Sequence, residues 1–113
     1  MLNTELLRTL RKTHKEAADL LNKVDPPERP FDSKYAGRTL LQQMVSTILD
    51  EADGGDHREA LVGALFVQIG CVDIDVEEFS SGEKNLRKAM EKLERVENAS
   101  YRILVEQKAL NQV

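Results

Sequence analysis

The run GALFVQIGCVDIDVEEFSSGEKNLRKAMEKL, residues 63–93, decides the fold. Its large residues Phe66 and Ile69 stand beside the small Gly70. After a charged stretch comes a second small residue, Gly82, followed by Leu86 and Ala89. Two helices that cross closely need this arrangement, with glycine where the backbones meet and bulk in the holes alongside. The run therefore predicts an antiparallel helix pair closed by a short turn.

Counted from Gly63 as first position, Phe66, Ile69, Gly70, Gly82, Leu86 and Ala89 fall on the large and small sites of the roughly 34-residue tetratricopeptide pattern. Two departures mark the repeat as degenerate: Asp73 stands where an aromatic is expected, and Glu94 where a proline usually ends the unit. The plainer alternative is an ordinary helical bundle in which Gly70 and Gly82 merely permit close packing. Both readings are all-α.

Upstream, Leu6, Leu7, Leu10, Ala17, Leu21 and Val24 recur at helical steps and predict a first helix over about 3–24, with Asn3 as a candidate cap. It stops at DPPERP, whose prolines Pro26, Pro27 and Pro30 forbid continuation. Tyr35, Leu40, Leu41, Met44, Ile48 and Leu49 mark a second stripe over about 33–50, capped by Asp32 or Ser33 and closed by DGGD. A third helix, about 58–73, is apolar almost all round and reads as the core helix. A fourth, about 76–96, turns Phe79, Leu86, Ala89, Met90, Leu93 and Val96 inward. After Glu97 to Ala99 a fifth stripe, 99–113, starts with Tyr101, Leu104, Val105 and Ala109. It reaches Val113 without cap or stop signal, as a helix cut in mid-pattern would. The expectation is one helical-repeat region over 1–113, with antiparallel helix hairpins stacked as the start of a tetratricopeptide-like α-solenoid.

Composition narrows the function. Sixteen basic residues against twenty acidic ones leave a net charge of -4, which gives no electrostatic reason to expect nucleic acid. Cys71 is the only cysteine, so an internal disulfide is impossible, and its apolar neighbours suggest a small packed hydrophobe in a reducing compartment. Arg8, Arg11, Lys12 and Lys15 cover one side of the first helix, but the helix's glutamates, Glu5 and Glu16, and a lack of aromatic anchors favour a solvated face over a membrane surface.

Metal and catalytic readings fare poorly. An EF-hand loop needs glycine sixth and glutamate twelfth. From Asp50 the sixth residue is Gly55 but the twelfth is Leu61, and from Asp73 those places hold Glu78 and Lys84. His14 and His57 share no ligand spacing with Cys71 or with each other, and no local nucleophile motif surrounds Cys71, Ser80 or Ser81. The sequence predicts no enzyme, no cofactor, no metal and no small-molecule substrate.

Two segments go beyond a generic repeat. RPFDSKYAGRTLLQQM, residues 29–44, resembles the start of the second helix in the kinesin-binding protein (KIF-binding protein) family. IGCVDIDVEEFSSGEKNLRKAMEKL, residues 69–93, is similar to that family's first recognisable repeat, including Ile74 and Asp75, Glu77 and Glu78, and the Ser81, Gly82, Glu83 run. The resemblance extends over nearly the whole chain, the first helix and the DGGD loop matching only in character, and the family is much longer. It implies a cytoplasmic, cytoskeleton-associated scaffold that wraps kinesin motor domains on the face that would otherwise meet the microtubule. Regulation of microtubule-based transport and axonal microtubule organisation would follow. It assigns no motor-contacting residue here.

Competing readings are a structural bundle and a generic adaptor. A co-chaperone carboxylate clamp is disfavoured, because the positions that would carry Lys and Asn donors are Val67 and Cys71.

Overall fold

In the computed structural model, residues 4–52 and 54–111 are described, with side chains up to Glu97. They form four α-helices, α1 (Thr4–Leu21), α2 (Asp32–Glu51), α3 (Asp56–Asp75) and α4 (Phe79–Asn111), and among the described residues no strand. The helices run alternately up and down: α1 packs on α2, α2 on α3 and α3 on α4. The chain is all-α, two antiparallel hairpins stacked through α2 and α3.

Leu6, Leu10 and Ala17 put the α1 stripe into the core. The expected last member, Val24, is instead 92% exposed, because the helix ends at Leu21. The chain must become extended before Pro26, whose ring disfavours helical geometry in the residue preceding it. Asn3, the expected cap, lies outside the described residues.

α2 is not capped from its own first turn as expected. Asp25, across the proline loop, accepts the backbone N–H of Ser33 at 2.8 Å and its hydroxyl at 2.6 Å. One carboxylate thus satisfies an orphan amide of the helix start and ties down the loop. Leu41, Met44, Val45 and Ile48 are buried, whereas Tyr35 and Leu49, assigned by sequence to the same face, are exposed. Tyr35 packs edge-to-face with Phe31 and lies under the Arg38 guanidinium, 5.1 Å from its ring centroid.

α3 is the core helix. Val62, Leu65, Ile69 and Val72 are buried, and with Leu41 and Ile48 they make the centre of the molecule. Its start is set by Gly55 at φ 132°, a left-handed conformation that side chains strain to adopt. It is not covered all round, however: Ala64, Val67, Cys71 and Ile74 are exposed on one side. Cys71 is therefore a surface thiol and not a packed one.

The largest departure is at the end of the chain. The expected helices 76–96 and 99–113 are one continuous helix, Phe79–Asn111, of 33 residues. The stretch between them holds neither glycine nor proline, and Asn98 alone costs a helix only a fraction of a kcal/mol, roughly 0.5. At the other end the helix begins late, because Val76 to Glu78 form a tight turn with Glu77 at φ 66°. Phe79 and Met90, expected inward, face solvent, Met90 with 69% of its surface exposed. The side chains of Tyr101, Leu104, Val105 and Ala109 lie outside the described residues.

Candidate partner-binding site

The six residues singled out from the repeat pattern converge on the α3–α4 crossing. A Cβ added to Gly70 would lie 2.7 Å from Leu86 Cγ and 3.2 Å from the Gly82 carbonyl oxygen. One added to Gly82 would lie 3.1 Å from the Gly70 carbonyl oxygen and 2.9 Å from Ile74 Cγ1. The backbones touch at this pair of glycines, and no larger residue fits without moving a helix. Ile69 and Ala89 are buried on either side. Phe66 is half-buried against the core, with the Lys88 ammonium 5.5 Å from its ring centroid.

Asp73, where the pattern leads one to expect an aromatic, holds the most consequential polar contact. Its side chain is almost wholly buried. Oδ1 accepts a hydrogen bond from Arg38 Nη1 at 2.7 Å, and Oδ2 accepts one from Asn85 Nδ2 at 2.7 Å. Arg38 also bonds Glu78 in the α3–α4 turn. Although burial opposes the charged guanidinium, the hydrogen bonds to Glu78 and Asp73 raise its pKa above its ordinary value. Three helices, α2, α3 and α4, are thus joined by one buried carboxylate. Sequence reasoning missed this link; the signal was an acid directly after a charge-free stretch, residues 60–72, one helical turn past Ile69 on the buried stripe.

Opposite this crossing, α1 and α3 run side by side in the same direction and leave a groove between them. Leu7, Leu10, Met44, Leu61, Ala64 and Leu65 line one part, a cavity of about 350 Å³. Ala18, Leu21, Val67, Cys71 and Val72 line a second part of about 470 Å³. Between them, His14 Nε2 donates to Gln68 Oε1 at 3.0 Å and bridges the two helices. The apolar walls with a few polar groups can hold a complementary side-chain stripe. Among the described residues, no three His, Cys, Asp or Glu side chains converge on a point that could hold a metal. No helix among them is long and apolar enough to cross a membrane.

The profile of no known protein family matches the chain. No solved structure matches it either. A stretch of 72 residues, 62% of the chain, is 35% identical to the KIF-binding protein of Gallus gallus and corresponds to 12% of that protein's length. The similarity is partial and distant, and it covers less of the chain than the nearly full-length resemblance expected from the sequence.

Proposed function

We propose that this chain is part of a non-enzymatic scaffold that binds kinesin motor domains and regulates their attachment to microtubules. Microtubule-based transport and axonal microtubule organisation would be its wider setting, and the cytoplasm and cytoskeleton its location. The observation that carries this reading is the 35% identity over 72 residues to KIF-binding protein. The stacked helical hairpins support it, since such an architecture presents extended faces to protein partners rather than a closed catalytic pocket. In this reading Phe66, Ile69, Gly70, Gly82, Leu86 and Ala89 are repeat-packing residues. They hold a binding surface in shape without touching the motor, and 1–113 is one helical-repeat region of a longer scaffold.

A microtubule pelleting assay tests the proposal. Kinesin motor domains are spun with microtubules in the presence of this chain, of the longest form of the protein that its natural reading frame encodes, and of the chicken KIF-binding protein as reference. Retention of a subset of motors in the supernatant by the longer form is the expected result. If every motor pellets while the reference releases them, the kinesin reading falls and a generic helical adaptor remains.

A further inference from the structure

Where the two hairpins join, the chain reads DEADGG, residues 50–55. Asp50 and Glu51 end α2 and are exposed, Gly54 and Gly55 are exposed too, and α3 begins at Asp56. Among the described residues, none of Asp50, Glu51 and Asp56 has a cation within ion-pair distance. The last turn of α2 holds no basic residue. Two acids at a helix C-terminus oppose the macrodipole, so this turn is the easiest part of α2 to unwind. Beyond it Ala52 is already extended, at φ -89° and ψ 141°. Arg58 Nη2 donates to the Leu49 carbonyl oxygen at 3.2 Å, which pins the helix just before Asp50 and sets where unwinding stops. No atom lies within 4 Å of where a Gly55 side chain would begin, so nothing packs over that end of the loop.

We infer that this joint is a cleavage site for an aspartate-specific cysteine endoprotease, which hydrolyses the Asp53–Gly54 peptide bond. Such an enzyme seats one carboxylate in a basic pocket just before the scissile bond and a second carboxylate three residues earlier. Asp53 and Asp50 stand at that spacing, with Glu51 between them. Gly54, on the leaving side, has no side chain to hinder approach. A protease binds its substrate as an added extended strand, and Asp50 and Glu51, once unwound, continue the extended backbone of Ala52. The protease thiolate attacks the Asp53 carbonyl carbon, and the Gly54 nitrogen takes a proton and leaves. Water then hydrolyses the thioester, so that Asp53 ends in a carboxylate and Gly54 begins with an amino group. The cut severs the covalent link between the hairpins. What then holds them is the shared burial of Leu41, Ile48, Val62 and Leu65 and the Arg38–Asp73 contact, without the high effective concentration that a short linker confers. The inference rests on the joint alone and stands whether or not the partner is a kinesin.

The test incubates the full chain with a purified caspase that cuts after Asp-Glu-x-Asp and identifies the products by mass spectrometry. A synthetic peptide of residues 46–59 serves as the unfolded reference. The expected result is a single cut giving residues 1–53 and 54–113, with the bonds after Asp56, Asp73 and Asp75 intact. Asp53→Glu keeps the charge and should slow the cut at least about a hundredfold, because a pocket built around one carboxylate rejects a longer one. Asp50→Ala should slow it about tenfold, the loss of one charge-assisted hydrogen bond. Circular dichroism confirms that both variants are folded. Size-exclusion chromatography of the cut chain at low micromolar concentration should show the two fragments apart. A cut peptide beside an uncut folded chain overturns the inference, as do refusal of both, cleavage at any other bond, or Asp53→Glu cut as fast as the parent. Fragments that stay together after complete cleavage overturn the claim that the cut takes the hairpins apart.

Discussion

The two hairpins solve one packing problem with different chemistry. In α3–α4 the helices meet at Gly70 and Gly82, with Ile74 one turn beyond. In α1–α2 the same contact is made by Ala17 and Gly37, with Leu21 one turn beyond. A Cβ on Gly37 would lie 2.8 Å from Leu21 Cγ and 3.2 Å from the Ala17 carbonyl oxygen, closely matching the surroundings of Gly82. The first hairpin is therefore a geometric copy of the second. Its helices are joined by a longer, proline-rich loop pinned by Asp25, where the second closes on a three-residue turn braced by Arg38 and Glu78. Close approach of two backbones sets the fold, and the means of closing the turn is free to vary.

The comparison breaks most severely at Arg38, which belongs to the first hairpin and neutralises the second. Arg38→Ala leaves the buried Asp73 carboxylate facing only Asn85, and stranding one member of such a pair costs about 3–5 kcal/mol. Against the roughly 5–15 kcal/mol that holds a small domain folded, this is a large share. Urea denaturation should show the midpoint falling sharply. A loss below about 1 kcal/mol would mean that the carboxylate is not the link between the hairpins.

A smaller effect distinguishes glycines at a crossing from glycines beside it. Gly82→Ala puts a methyl against the Gly70 carbonyl, which cannot move without the helix, and should cost about 1–2 kcal/mol after the gain in helix propensity. Gly63→Ala meets Lys92 Cβ at an ordinary 3.4 Å and, at the tighter 3.0 Å, the side chain of Leu93. That residue can shift, so propensity and crowding should cancel to within about 0.5 kcal/mol. Thermal melts of the two variants side by side check the ordering, and equal losses would show that the whole length of α3, and not its crossing point, is in closest contact.

Much of this was legible in the residues, for reasons that differ by element. The second hairpin could be read because its short turn keeps Gly70 and Gly82 at the spacing of a familiar repeat. The first hid the same contact, because its loop shifts Gly37 away from that spacing and alanine replaces one glycine. Apolar periodicity found every helix but overstated the buried faces. Val24 falls beyond the end of α1, and Leu49, Phe79 and Met90 lie in phase with a stripe yet face solvent. The break placed at Glu97 to Ala99 was inferred from polarity, and polarity without glycine or proline does not end a helix. The basic residues of α1 were read as a solvated face. That Arg11 and Lys15 line a groove depends on α3 running alongside, which no local pattern encodes.

The smallest effect sharpens the comparison through acid. Asp25 in the first hairpin is held below its ordinary pKa by the Ser33 hydroxyl and amide it accepts, with burial working in the opposite direction. Glu59 in the second is held down by its hydrogen bond from Lys92 at 2.7 Å, again against burial. A carboxyl whose folded pKa lies below its unfolded value adds stability that is complete above the unfolded value, about 4, and is lost as the pH falls through the folded one. Melting temperature should therefore hold from about pH 7 to pH 5 and fall below about pH 4. Glu59→Gln should lower stability near neutrality by no more than about 0.5 kcal/mol, because the pair is partly exposed and screened. Asp25→Asn should also lower it, because Asp25 uses two acceptor oxygens, for the Ser33 amide and the Ser33 hydroxyl, and asparagine has one. Each variant should then converge on the parent as the medium becomes acidic, since protonation removes from the parent what substitution removed from the variant. Circular dichroism melts across that range read both differences. A Glu59→Gln gap that stays constant into acid would show that Lys92 contributes packing and not charge, leaving the first hairpin's loop as the acid-sensitive joint of the two.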